Sequence, residues 1–354
     1  MIMKGLPRIR VLVVDDSPFM RMAISRTLEP AAGIEVVGQA RNGIEAMEKA
    51  KALNPDVITL DMEMPVMGGL ETLKAIMTWP RPIPCVMVSS FTTQEAEITL
   101  TALDEGAIDF ITKPSSLAGM DIGRLQRDLA NKIIAAAHIA PARLKKRIGP
   151  PVAPVPLQLG HAVGKRGIEV VCIGISTGGP AALQHLIPVL PANLPVAVVV
   201  AQHMPPGFTK SMAERLNKAS HIPVKEAEEG DIISPGRVLL AKSGMHLVFN
   251  EKYGKKIASI THRPDTENYF PSVNVLFGSA AHFFGNKTLP VVMTGMGVDG
   301  TEGLKMLKKS GAFAIAQSEE SCAVYGMPKS AIEGGLIDRV AGLEEMASAI
   351  IEEL

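Results

Sequence analysis

From Ile9 onward, short apolar runs rich in Val and Ile alternate with segments of helical period. RVLVVD precedes a helical stretch over 19–28, IEVVGQA one over 43–53, and VITLD one over 70–77. PCVMVS, a helix over 95–105, IDFIT and an amphipathic helix over 123–138 complete the series. Strands that are apolar throughout and alternate with helices are the pattern of a parallel sheet covered on both faces. These residues therefore predict an α/β domain of the doubly wound (βα)5 type.

The pattern changes at PARLKKRIGPPVAPVPLQLGHAVGKRG, dense in Pro, Gly and basic residues. Such a stretch reads as a stiffened linker between two domains. Its RLKKR run, Arg143 to Arg147, reads as a solvated end, with an acidic partner surface as the alternative. A second β/α rhythm begins at IEVVCIGIS and passes through GGPAALQHL, PVAVVVAQH and a helix over 207–218. Residues 222–262 interrupt it with short strands and the turn signals SPG, KSG and EKYGKK, which predict antiparallel hairpins added to the sheet. The α/β pattern returns with LPVVMTG and GAFAIAQ and helices over 272–284 and 301–310. The expected organisation is a first domain over 1–132, a linker over 133–166, and a second, mostly parallel, doubly wound α/β domain over 167–354.

Composition limits the functions open to this chain. Its 354 residues make about two domains, and 36 basic against 36 acidic side chains argue against broad binding to nucleic acid or anionic lipid. Cys85, Cys172 and Cys322 lie far apart without C-x-x-C spacing, so they read as buried thiols rather than a disulfide framework or zinc site. No apolar run approaches the ~18 residues of a membrane span, and the first residues lack the apolar core of a signal peptide. The expectation is a cytoplasmic chain with protein partners, no nucleic acid and no membrane insertion.

Candidate chemistry gathers at strand ends. Asp15 and Asp16 follow VLVV and Asp61 ends VITLD, at the sheet edge where open α/β folds bind ligands. Clustered carboxylates raise one another's pKa unless a cation intervenes, and a hard oxygen-rich cluster suits Mg²⁺. Helix capping is the plain alternative, reasonable for Asp16 before Ser17-Pro18 but weak for all three. Ser89 and Lys113 sit at later strand ends. With VLVVDDS, ITLDMEMP, VMVSS and ITKP in order, residues 8–130 resemble a two-component response-regulator receiver domain. The resemblance implies that Asp61 accepts a phosphoryl group from a histidine kinase. It also implies that Asp15, Asp16, Asp61 and the Glu63 carbonyl hold Mg²⁺ and that Ser89 and Lys113 bind phosphoryl oxygens. Gly68-Gly69 departs from the family's usual Asp-Gly, away from that site.

In the second domain, Gly174-Ile175-Ser176-Thr177-Gly178 satisfies G-x-S-x-G, in which glycines relieve a sharp strand-to-helix turn and expose a serine hydroxyl. A phosphate cradle competes with this reading, but neither nucleotide-loop pattern is present there. Among eight histidines only His203 ends a long apolar strand on the Ser176 edge. His138, His161, His185, His221, His246, His262 and His282 fall in the linker, helices, turns or hairpins. Asp299, after a buried strand and a glycine-rich turn, completes a Ser-His-Asp order; its plain alternative is a cap for the helix near Thr301.

IGISTGGP, QHMPPGFT, FPSVNVLF, TGMGVDG, GAFAIAQ and SCAVYGMP, behind a receiver-like domain and a linker, resemble the chemotaxis protein-glutamate methylesterases over nearly the whole chain. That resemblance implies Ser176 as nucleophile, His203 as base and acid, Asp299 as its orienter and the Met296 amide as oxyanion donor. It further implies hydrolysis of glutamyl methyl esters on chemoreceptors, deamidation of receptor glutamines, and no cofactor for ester hydrolysis. The family usually shows Arg-Pro-Ser-Val-Asp where this chain has Tyr269-Phe270-Pro271-Ser272-Val273-Asn274. Tyr269 and Phe270 are expected to pack under the hairpins, with contact to a receptor helix as the alternative. The expected regulation is occlusion of the Ser176 edge by the unphosphorylated receiver. The rival is a non-enzymatic response regulator whose output domain binds a protein or nucleotide.

Overall fold

The structure is a computed structural model that describes residues 8–31, 33–90, 93–113, 122–139 and 166–354. The chain divides into two compact units, Met1–Pro150 and Pro151–Leu354. The RLKKR run and His161 lie outside the described residues.

The first unit follows the expected rhythm: β1 (Ile9–Val14), α1 (Pro18–Leu28), β2 (Ile34–Ala40), α2 (Gly43–Leu53), β3 (Val57–Asp61), α3 (Gly69–Met77), β4 (Cys85–Ser89), α4 (Thr93–Asp104), β5 (Asp109–Thr112) and α5 (Ile122–Ala137). The strands form a parallel sheet in the order β2-β1-β3-β4-β5. Every residue of β3 and β4 is buried, so these central strands are apolar throughout because helices cover both faces. Ser17 starts α1 by accepting from the Met20 amide, with Pro18 in the first turn, where its missing N–H costs nothing. Helix α5 continues to Ala137, past residue 132, where the linker was expected to begin.

The second unit contains β6 (Val170–Ile175), α6 (Gly179–Leu186), β7 (Ala197–Gln202), α7 (Phe208–Ala219), β8 (Val224–Glu226), β9 (Arg237–Leu240), β10 (His246–Lys252) and β11 (Lys255–Thr261). It continues with α8 (Val273–Phe283), β12 (Thr288–Val292), α9 (Thr301–Lys309), β13 (Ile315–Gln317), α10 (Met327–Glu333), β14 (Arg339–Ala341) and α11 (Met346–Glu353). Seven strands lie in the order β14-β13-β12-β6-β7-β9-β8, every neighbouring pair parallel. The antiparallel expectation for 222–262 therefore holds only for the separate β10–β11 hairpin. β8 and β9 join the main sheet in parallel, because residues 227–236 cross over between them and Ile232 bridges Ile257 of the hairpin instead. The core unites β6, β7, β9 and β12 with Phe249, Val273 and Phe277. Each large apolar side chain buried there stabilises the fold by about 1.5–3 kcal/mol.

Both sheets reverse direction of winding in their middle, between β1 and β3 in the first and between β6 and β12 in the second. That switch point leaves a crevice at the carboxyl edge of the strands.

Candidate functional site

In the second unit, Ser176 directly follows β6 and His203 directly follows β7. The sheet's hydrogen bonding runs on past the strands to hold both: the Ser176 amide donates to the Thr294 carbonyl at 2.9 Å and the His203 amide to the Ile175 carbonyl at 3.0 Å. The turn after Ser176 needs glycine, since Gly178 has φ +77°. Gln202 ties the two residues together, its Nε2 donating to the carbonyls of Ser176 at 3.0 Å and His203 at 2.9 Å.

The side chains meet as a chain. Ser176 Oγ lies 3.1 Å from His203 Nδ1, and His203 Nε2 lies 2.7 Å from Asp299 Oδ2. The contact with a carboxylate places a proton on Nε2 and leaves Nδ1 to accept from the serine hydroxyl. Ser176, His203 and Asp299 are nearly closed to solvent, Asp299 at 6 % exposure.

Asp299 is held by more donors than its partner alone. Oδ2 also accepts from the Val273 amide at 2.7 Å, and Oδ1 from Ser272 Oγ, the Asn274 amide and the Gly300 amide at 3.1, 3.0 and 2.9 Å. Burial alone would raise its pKa, but His203 and the amides at the start of α8 outweigh that and hold it below the usual carboxylate range. Its capping role thus falls on α8 and not on the helix near Thr301. That helix, α9, is served by Asn274, whose Oδ1 accepts from the amides of Gly300, Glu302 and Gly303 at 3.0, 3.0 and 3.1 Å.

Strand order explains the route of this loop. Asp299 follows β12, His203 follows β7, and β6 with Ser176 lies between them. The segment from Thr294 must therefore pass over the serine. A Cβ on Gly295 would stand 2.7 Å from Ser176 Cβ, so only glycine permits that crossing. Met296 comes next, and among the described residues its amide donates to no protein acceptor. Gly295 is tied from the other side by the amides of Gly326 and Met327, which donate to its carbonyl.

Three further residues near the triad were not found by pattern reading. Tyr269 stacks on the His203 ring, with centroids 4.1 Å apart and planes 6° from parallel. Phe270 stacks on His246 at 4.4 Å. His246, set aside above as a hairpin residue, is fully buried, accepts from the Ser272 amide at Nδ1 and donates from Nε2 to the Pro264 carbonyl. Phe270 thus packs against His246, the first residue of the β10–β11 hairpin, whereas Tyr269 lies on His203. The signals available were the buried position of Gln202 beside His203 and the aromatic pair standing where the familiar motif changes.

In the first unit, Asp15, Asp16 and Asp61 each present an oxygen within 4.8 Å of the others. Asp16 is exposed and caps no helix among the described residues; Ser17 is the cap of α1, and Asp15 Oδ1 accepts from its amide. Lys113 reaches Asp61 Oδ2 at 2.7 Å and Asp15 Oδ2 at 3.2 Å. Those two buried oxygens meet the ammonium as ion-pair partners yet, among the described residues, accept no well-directed hydrogen bond, which leaves lone pairs facing the cluster. Burial, reinforced by Asp15 and Asp16 and opposed by Lys113, pushes the Asp61 pKa up to about 6. For Lys113, burial lowers the pKa, but Asp61 and Asp15 outweigh it and hold it above the usual lysine range.

The Ser89 hydroxyl is engaged outside this cluster. Ser89 Oγ accepts from Thr99 Oγ1 at 2.8 Å and lies 3.4 Å from Glu95, both on α4. The Glu63 side chain is exposed. Among the described residues no helix is long and apolar enough to cross a membrane.

Comparison with known proteins finds a family for each unit. Residues 171–350 match the CheB methylesterase family and residues 11–121 the response regulator receiver domain. A protein-glutamate methylesterase/protein-glutamine glutaminase of Halalkalibacterium halodurans is 47% identical over 347 residues, covering 98% of each chain. The Bacillus subtilis protein of the same description is 45% identical over 352 residues, covering 97% of each. The crystal structure of the Thermotoga maritima CheB methylesterase catalytic domain is 43% identical, covers 53% of this chain and 99% of its own, and superposes with a TM-score of 0.52. With two parallel α/β units, each carrying its polar cluster at the switch point of the sheet, the chain belongs to the family of the protein-glutamate methylesterase/protein-glutamine glutaminases.

Proposed function

We propose that the chain is a phosphorylation-regulated hydrolase of glutamyl methyl esters on chemoreceptors that also deamidates receptor glutamines, with Ser176, His203 and Asp299 as its catalytic triad. The observation that carries this reading is the continuous path from Ser176 Oγ through both ring nitrogens of His203 to Asp299. A receiver-like region that runs to the end of α5 at Ala137, a linker after it and a catalytic region over 167–354 divide the work.

His203 Nδ1 takes the Ser176 proton as Oγ bonds to the ester carbon, and the C–O electron pair moves to the carbonyl oxygen. The Met296 amide, carried over Ser176 by the Gly295 crossing, donates to that oxyanion. The tetrahedral species collapses, His203 returns the proton to the leaving methoxy oxygen, and methanol departs. Water then gives a proton to His203 and attacks the acyl-serine, releasing glutamate and restoring Ser176. With glutamine the leaving group is ammonia. Asp299 stays ionised throughout and stabilises the imidazolium.

In the first unit Asp61 is the phosphoryl acceptor and a histidine kinase the donor. An acid with a pKa of about 6 is largely ionised at neutral pH and so retains a nucleophilic oxygen. Asp15, Asp16 and Asp61, with the Glu63 carbonyl, fit a hard divalent cation, because clustered carboxylate oxygens carry unused lone pairs. Bound there, Mg²⁺ supplies charge neutralisation for phosphoryl transfer. Lys113 pairs with phosphoryl oxygens, and Ser89 does so on leaving Thr99. On this reading the chain works in the cytoplasm, with the receptors' methylated segments as substrate.

The test is methanol release from methylated receptor by wild type and Ser176→Ala, each with and without a small phosphodonor and Mg²⁺. Release that needs Ser176 and rises with phosphodonor supports both sites. Release by Ser176→Ala at the wild-type rate removes the triad, and release indifferent to phosphodonor removes the switch.

A further inference from the structure

We propose that Tyr269 is the positioning residue of the general base: its stacked ring fixes the tilt of the His203 imidazole and favours the imidazolium formed during turnover. This rests on the Ser176–His203–Asp299 reading and adds to it a residue outside the triad.

The two hydrogen bonds of His203 act near the plane of the imidazole ring, through Nδ1 and Nε2. Bonds of that kind resist rotation within the plane but oppose tilting weakly. Tyr269 supplies the missing restraint, lying 4.1 Å from the imidazole and only 6° from parallel. A stacked ring lets the imidazole slide a little within its plane, as it must when Nδ1–H turns from Ser176 to the leaving oxygen. It also keeps water off that face.

The phenol is itself anchored. Its neighbour Phe270 stacks on the fully buried His246, and the Phe270 carbonyl accepts from the Gly244 amide at 3.0 Å. Two residues on, Ser272 is fixed by His246 through its amide and by Asp299 through its hydroxyl. At the other end of the ring, a Cβ on Gly297 would stand 3.8 Å from the Tyr269 hydroxyl. The side chain therefore spans from the base to the turn that carries Met296, and the segment bearing it is held on both sides.

Stacking matters more after proton transfer than before. A cation over an aromatic face is attracted by the ring quadrupole, whereas the neutral imidazole gains less. The interaction is stronger in the charged transition state than in the ground state, so its loss lowers kcat and leaves substrate binding alone. A phenylalanine offers the same face, and an alanine offers none.

The experiment uses the full chain with phosphodonor and Mg²⁺, measuring methanol release from a methylated receptor fragment. Tyr269→Ala is expected to lower kcat about tenfold with KM held within about twofold, and Tyr269→Phe to keep kcat within about twofold of wild type. In histidine-labelled protein, the His203 ring protons shift upfield in wild type and Tyr269→Phe, and lose that shift in Tyr269→Ala. A wild-type kcat in Tyr269→Ala, an equal loss in both variants, or a change confined to KM overturns the proposal. Ser176→Ala, run alongside, separates the two readings. If Ser176→Ala is inactive while Tyr269→Ala is unaltered, only the role of Tyr269 fails; an active Ser176→Ala removes the triad itself.

Discussion

Asp61 and Asp299 are both buried aspartates at the carboxyl edge of a parallel sheet, yet their surroundings drive them in opposite directions. Asp299 accepts from His203, Ser272 and three backbone amides, and its pKa is held down. Asp61 stands among other carboxylates with one ammonium for relief, and its pKa rises to about 6. A fully satisfied carboxylate is suited to orienting a neighbour, because it has nothing left to offer a newcomer. An under-satisfied one is suited to bonding with phosphorus or a cation, because either relieves the crowding.

The sharpest break of this contrast is Asp299→Asn. With its NH2 at the Oδ2 position, an amide there leaves His203 without an acceptor for its Nε2 proton and faces the Val273 amide, itself a donor. We expect kcat to fall by about 10⁴, measured as methanol release, while the phosphodonor still modifies Asp61. The mirror change, Asp61→Asn, should abolish the phosphodonor response and spare the basal esterase rate.

Asp61 also carries a pH signature. Its folded pKa of about 6 lies above the ordinary 3.8, so the fold binds this proton more tightly than the unfolded chain does. Stability from this group is therefore greatest below about pH 4 and falls as pH rises through about 6, by about 3 kcal/mol in total. Trp79, the single tryptophan of the chain, lies in the first unit and reports its unfolding. In metal-free buffer its fluorescence transition should weaken across that window in wild type and much less in Asp61→Asn. Millimolar Mg²⁺ should restore the wild type more than the variant.

Smaller changes test how much of Asp299's behaviour comes from its amide cradle. Ser272→Ala removes one hydroxyl donor and the cap of α8; kcat should fall about tenfold and stability by about 1 kcal/mol. Asn274→Ala strips the Glu302 and Gly303 amides at the start of α9 of their acceptor and leaves Gly300 only Asp299. About 1–2 kcal/mol of stability should be lost in urea unfolding, with kcat nearly kept. Asn274→Asp should hold or slightly raise stability, since a negative charge suits a helix N-terminus.

Much of this was readable beforehand, for physical reasons. Apolar strands followed by helices announce parallel sheets, and polar residues at their ends announce the functional edge, so Asp15, Asp61, Ser176 and His203 could be placed by period alone. What could not be read depends on approaches between distant segments. β8 joins the sheet in parallel because of a crossover, and turn residues at SPG look the same in a hairpin. Nothing local in Asn274 says that it caps a helix across the loop from its own, or in Tyr269 that it lies on a histidine. Ser89 was placed on the correct strand end, while its bond to Thr99 came from a helix that packs behind it.

The detour of the loop after β12 carries a final implication, for how the chain can vary. Because β6 stands between β12 and β7, Asp299 reaches His203 only by a loop that travels over Ser176. The same few residues thus fix the span to His203 and the close approach of Gly295 to Ser176. Removing one residue between Thr294 and Asp299 would displace both together, and no insertion there could retune one without the other. This segment should therefore tolerate substitutions at Val298, whose side chain is 65% exposed, far better than any change of length.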